Sequence, residues 1–225
     1  MFVLVACEES QAVCLAFRSL GCVAFSCDVL PCSAGYDQWH IQGDVRPLLN
    51  GNCTFFTCDG QQHYLPGVWD LVIGFPPCTY LTQASAVRMF PGGELDELRY
   101  SKMLLARQLF MDILTCSARF VAVENPVPLK IAQLPKYSQI VQPFQFGHPW
   151  RKRTCLWLRG LPCLAPTEIV EPKGLWVGAT SSRRDGSVYS RYELRSKRSS
   201  IERSKTFPGI ASAMAAQWVP VVLGQ

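Results

Sequence analysis

The chain has 225 residues, 48% hydrophobic and 17% charged, the make-up of one globular domain with a substantial core rather than of a disordered polyelectrolyte. The apolar run that opens it, residues 2–6, stops at Glu8 and Glu9, too short for a membrane span or a secretory leader. A cytoplasmic protein with no membrane partner is therefore expected. The net charge of +5 is concentrated: residues 181–205 hold eight Lys/Arg against three acids, and thus the whole excess. Such a segment fits a polyanionic partner; a solvated loop is the other reading.

Residues 2–6 read as a buried strand. Ser10 then caps an expected helix whose apolar face (Ala12, Val13, Leu15, Ala16, Phe17, Leu20) stops at Gly21. Residues 23–26 form a second strand, ending near Asp28. Residues 50–67, rich in Asn and Gly, read as an inserted loop. A third strand, 69–74, runs into Phe75-Pro76-Pro77. Met103, Ala106, Leu109, Phe110 and Ile113 recur at helical spacing, and strand 119–123 ends at Glu124-Asn125-Pro126. Beyond these, 138–144 and 153–158 read as strands, 161–207 as irregular chain and 209–218 as helix. Strands alternating with helices imply an α/β fold with a mainly parallel sheet, whose ligands bind beyond the carboxyl ends of the strands. The polar turns all fall at those ends.

Eleven cysteines, scattered from Cys7 to Cys163, read as reduced thiols that pack as small hydrophobes. Their spacings, including Cys53, Cys58 and His63, lack the usual zinc pattern, and no metal is expected. Cys78 is the exception among them. Two prolines stiffen the loop before it and hold the thiol at the sheet edge. Glu124, at the end of another strand, supplies an acid that faces the thiol if the two strands share a sheet, the pattern of nucleophilic catalysis with acid assistance.

Pro76-Pro77-Cys78 and Glu124-Asn125-Pro126 resemble the nucleophile and Glu-Asn-Val/Pro motifs of the cytosine-C5 DNA methyltransferases, in the compact form found in bacteriophages and prophages. Arg151-Lys152-Arg153 is similar to the family's Arg-rich strand motif, and Pro208-Gly209-Ile210-Ala211 to its C-terminal motif. The resemblance implies a Rossmann-like fold dependent on S-adenosylmethionine, with helices on both faces of the sheet. It also implies the roles. Cys78 attacks C6 of a flipped cytosine, Glu124 (with Asn125 beside it) holds the N3 edge, and Arg153, with Arg151, holds the base or its sugar-phosphate. The cofactor would lie along Ala6, Cys7, Glu8 and Ser10, then Asp28 and Val29 for the ribose, then Asp44 and Val45 for the adenine, and against Pro76. The turn after the first strand departs from the family pattern, having no glycine.

Residues 1–160 and 206–225 would then form the catalytic domain. The basic stretch 161–205 stands where larger relatives carry a target-recognition domain, so DNA phosphates are within its reach and a long base sequence is not. A protein partner or a second copy of the chain would supply further target recognition. Two other readings keep the fold: a thiol enzyme that modifies free pyrimidine nucleotides or transfers another group, and a non-catalytic DNA-binding relative.

Overall fold

The computed structural model describes residues 1–172, 175–176 and 205–224. Strand β1 (Phe2–Ala6) leads through α1 (Ala12–Arg18) to β2 (Val23–Asp28) and β3 (His40–Gln42). Next come β4 (Cys53–Phe56), β5 (Gln62–Leu65), β6 (Leu71–Gly74), the short α2 (Ala86–Met89) and the long α3 (Glu97–Leu114). The described chain continues through β7 (Phe120–Pro126), β8 (Gln139–Val141), β9 (Trp150–Arg151), β10 (Thr154–Arg159), β11 (Leu175–Trp176) and α4 (Pro208–Leu223).

Seven strands form one sheet in the order β3-β2-β1-β6-β7-β10-β8. The pairs from β3 to β7 are parallel, and β10 runs antiparallel to both of its neighbours. This is the Rossmann-like α/β fold expected from the sequence. The chain leaves β1 for β2 on one side and later returns to β6 on the other. The carboxyl ends of β1 and β6 therefore flank the switch point where such sheets bind ligands. Both faces of β1 are buried, which accounts for its unbroken apolar run. Val3 and Val5 pack with Val13 and Phe17 of α1 and Met214 and Trp218 of α4. Leu4 and Ala6 face the other way, toward Met103, Phe110 and Ile113 of α3.

Three local expectations are corrected. Residues 50–67 are not a plain loop: β4 and β5 form an antiparallel hairpin that buries Phe55 and Leu65 in the α3-side core. Ser10 does not cap α1; Gln11 occupies that position in the left-handed region with no side-chain cap. The last helix runs beyond Trp218 to Leu223 and passes through Pro220.

The start of α4 sits against the turn before β9, where the Gly209 amide donates to His148 Nε2 at 3.1 Å. A Cβ on Gly209 would collide with the carbonyl oxygen of Phe146, which is backbone and cannot swing aside. Gly209→Ala should therefore cost about 1–3 kcal/mol, the usual price of overpacking, read as a lowered thermal midpoint.

Residues 161–172 are fastened to this body. Gln139 exchanges two bonds with the Leu164 backbone (2.7 and 2.8 Å), and Gln217 does the same with Ala165 (2.8 Å each). Trp218 Nε1 donates to the Pro162 carbonyl at 3.1 Å. The basic segment, apart from Lys205, lies outside the described residues. Among the described residues, no helix is long and apolar enough to cross a membrane.

Candidate active site

The Pro-Pro-Cys loop leaves β6 at Gly74. A Cβ there would lie 2.6 Å from Ile113 Cγ2, so glycine is what lets α3 close over the strand end. The Phe75 amide donates to the Ala6 carbonyl at 2.9 Å, extending the β1–β6 pairing by one residue. Asn125, fully buried at the end of β7, donates from Nδ2 to the Pro76 carbonyl at 2.9 Å. Beyond Cys78, the Arg99 guanidinium donates to the Thr79 carbonyl at 2.9 Å and lies 4.8 Å over the Tyr80 ring. The Gln83 amide donates to Val127 at 2.9 Å and the Leu129 amide to Leu81 at 2.7 Å. The Pro-Pro-Cys loop is thus held from both flanks, by β7 and by α3. Pro76 is buried, while Pro77 and Cys78 are exposed.

Glu124 lies one strand over. In the β7–β10 register, Leu156 stands opposite Glu124 and Thr154 opposite Pro126. Alternate residues share a face, so Thr154 comes beside Glu124, and its hydroxyl hydrogen-bonds the carboxyl. Residues 152 and 153 lie in the link between β9 and β10, outside both strands. Lys152 acts on both Glu124 and Cys78, whereas Arg153 acts on Cys155. Arg151, in β9, and Arg153 are both exposed; Lys152 is half-buried. Lys152 is the residue that sequence reasoning passed over, since only the fold shows which of the three neighbouring cations acts on both Glu124 and Cys78.

Desolvation raises the Glu124 carboxyl above its ordinary range, against the opposing pull of Lys152 and the Thr154 hydroxyl. The Cys78 thiol is also raised. The cleft desolvates its sulfur although the residue reaches solvent, Glu124 adds to the rise, and Lys152 opposes it.

The ends of β1, β2 and β3 meet beside this loop. Ala6 is buried, and Cys7 follows with φ 59°. Its thiol is pushed up to about 12 by burial first and then by Asp28 and Asp44, which brings the three strand ends together. The Gly43 amide donates to the Asp28 carbonyl at 2.8 Å, and Asp28 Oδ1 accepts the Leu30 amide at 2.9 Å. Asp44 forms a 3.0 Å ion pair with Arg46; Val45 is buried and Val29 exposed. Ser10 is half-buried in the turn, and the Glu9 carbonyl accepts the Ser33 amide at 2.8 Å.

Glu8 is turned away from this edge. Its carboxylate accepts the amides of Val13 at 2.7 Å and Cys14 at 3.1 Å, capping α1 from inside the protein. Burial pushes it up to about 8 in spite of those two bonds. The acids that remain along the edge, Asp28 and Asp44, suit a ligand offering hydroxyl or amine donors and a positive charge. They would not suit an anion. Among the described residues no group of three or more His, Cys, Asp or Glu is placed to hold a metal ion. His63 stacks on Phe55 instead, with its ring centroid 5.4 Å away.

No family model matches the chain, and no curated protein matches it in sequence. Among solved structures, one that resembles it is an E. coli protein provisionally described as a DNA modification methyltransferase encoded within a prophage. The two share 12% identity at a TM-score of 0.43, over 76% of this chain and 52% of that one. The chain thus spans about half the length of that structure.

Proposed function

We propose that the protein is a DNA cytosine-C5 methyltransferase that uses S-adenosylmethionine and a covalent Cys78 adduct. The observation that carries this reading is the pairing of a thiol on a doubly held Pro-Pro loop with the half-buried Glu124, at the ends of adjacent parallel strands.

A cytosine placed between β6 and β7 would offer C6 to Cys78 and N3 to Glu124. The thiol proton passes to the Glu124 carboxylate, and the sulfur bonds to C6. Glu124, now protonated, donates to N3, and the ring electrons move toward C5. S-adenosylmethionine supplies an electrophilic methyl group. After C5 has taken it, the C5 proton leaves to a base and the C6–S bond breaks, so the ring and the thiolate are both regenerated. The C6 atom of a stacked, paired cytosine is not open to attack by the thiol, so the target would be flipped, at a cost of about a few kcal/mol. Arg151 and Arg153, exposed on either side of Lys152, would hold the sugar-phosphate of that nucleotide. Residues 161–205 would add phosphate contacts to a catalytic body made of 1–160 and 206–225.

On the cofactor side, Asp28 would hold the ribose hydroxyls and Asp44 the adenine amine, with Ala6, Cys7 and Pro76 as walls. Asp28→Ala should weaken binding of S-adenosylhomocysteine by about ten- to a hundredfold, the worth of a charged hydrogen bond, with thermal stability nearly unchanged. Calorimetric titration measures this, and equal affinities would leave Asp28 only its turn bond to Leu30. The reaction itself is tested by transfer of labelled methyl to duplex DNA, followed by nucleoside analysis. Label in 5-methylcytosine supports the reading; label in free cytidine nucleotides alone would move the substrate to the nucleotide pool.

A further inference from the structure

Asp28 and Asp44 would hold the ribose and the adenine of S-adenosylmethionine, but that molecule also ends in an α-amino acid, with an ammonium and a carboxylate on one carbon. Adenine would lie at the end of β3, ribose at the end of β2, and the methyl group toward Cys78 beyond β6. The strand order β3-β2-β1-β6 then leaves the end of β1 for the amino-acid tail. The first-turn amides of α1, which would suit a carboxylate, are taken by Glu8.

The next residue, Glu9, is held at that end by β2 and the loop that follows it. The Glu8 amide donates to the Cys27 carbonyl at 3.2 Å, and the Ser33 amide donates to the Glu9 carbonyl at 2.8 Å. Lys205, just ahead of α4, comes down on the same turn. Its Nζ donates to Ser33 Oγ at 2.9 Å and stands 3.9 Å from Glu9 Oε1, which brings opposite charges together without a hydrogen bond between them. The Glu9 side chain is only 15% exposed, yet among the described residues its carboxylate accepts no hydrogen bond. Lys205 has three donors, and Ser33 takes one.

We infer that Glu9 and Lys205 form a clamp for a zwitterionic α-amino acid, Glu9 taking the ammonium of the cofactor's tail and Lys205 its carboxylate. Both contacts are charge-assisted hydrogen bonds. The tail's charges run opposite to those of the pair, so it can dock against them without leaving either charge alone. The clamp rests on reading the cofactor as S-adenosylmethionine.

Calorimetric titration of the intact protein with two ligands tests it. S-adenosylhomocysteine keeps the tail; 5′-methylthioadenosine keeps the nucleoside and the sulfur and has no amino acid. Wild type should prefer the first by about tenfold or more. Lys205→Met and Glu9→Gln should each weaken S-adenosylhomocysteine by about five- to fiftyfold and leave 5′-methylthioadenosine within about twofold. Decarboxylated S-adenosylhomocysteine, with the ammonium alone, assigns the ends: Glu9→Gln should weaken it and Lys205→Met should not. Unchanged S-adenosylhomocysteine binding in either variant, or an equal loss of both ligands, overturns the clamp. Should a variant unfold, the preference of wild type decides. A wild type that binds both ligands alike sinks the clamp and keeps the cofactor reading, whereas one that binds neither sinks both.

Discussion

Cys78→Ser should reduce methyl transfer by about 10³-fold or more, as loss of a covalent nucleophile does, while S-adenosylhomocysteine still binds within about threefold of wild type. The two outcomes separate because the substitution changes one atom on a loop that other residues hold. Asn125 grips the Pro76 carbonyl and Arg99 the Thr79 carbonyl, and neither bond involves the sulfur. A serine hydroxyl has no accessible anion near neutral pH, so the C6 bond does not form. A second readout needs no turnover. DNA carrying 5-fluorocytosine at the target has no C5 proton to lose, so a covalent complex should persist in denaturing gels with wild type and be absent with the variant. Substantial activity in Cys78→Ser would remove the covalent mechanism.

Glu124→Gln should slow the reaction by about 10²–10⁴-fold without unfolding the protein. Glutamine can still donate a hydrogen bond to N3, but it cannot receive the thiol proton or lend it to the ring. The fold tolerates the change because the Thr154 hydroxyl can bond an amide oxygen as it does the carboxyl. The pH profile carries the sign of the effect. Taking the thiol proton needs the carboxylate form, so activity should rise as pH climbs through the Glu124 pKa, which desolvation moves above the ordinary carboxylate range. Single-turnover rates from acid to alkaline pH should show this acid limb in wild type and lose it in the variant. A rate within threefold of wild type would take Glu124 out of the chemistry.

The parallel strands were legible because each is buried on both sides and so written as an apolar run, as in Val72 and Ile73 of β6 or Val121 to Val123 of β7. The turn chemistry at their ends was legible for the same reason, since a polar residue stands out against such a run. What escaped lacks that contrast. Strand β3 has only three residues, and His40 in it reads as polar, yet the ring is fully buried, with Nδ1 2.9 Å from Ser26 Oγ and Nε2 2.9 Å from the Leu30 carbonyl. The β4–β5 hairpin hides its alternation because its outward residues include Phe56 and Tyr64, both more than half exposed. The helix expected over 209–218 runs on through Pro220, which lacks an amide donor, to a left-handed Gly224. Lys152 required the fold that brings its charge to bear on Glu124, a residue about thirty positions away that no local pattern records.

The buried Glu8 carboxylate has a consequence for which small molecules this sheet can accept. Rossmann-like proteins that take dinucleotides leave the first-turn amides of the helix after β1 open, and a pyrophosphate settles there on glycines. Here the protein has filled that seat with its own side chain: the Glu8 carboxyl takes the Val13 and Cys14 amides, and Cys7 stands where the glycine would have been. A phosphate arriving at α1 would meet amides that are already taken rather than open donors. The fold is thereby closed to pyrophosphate ligands at their customary berth.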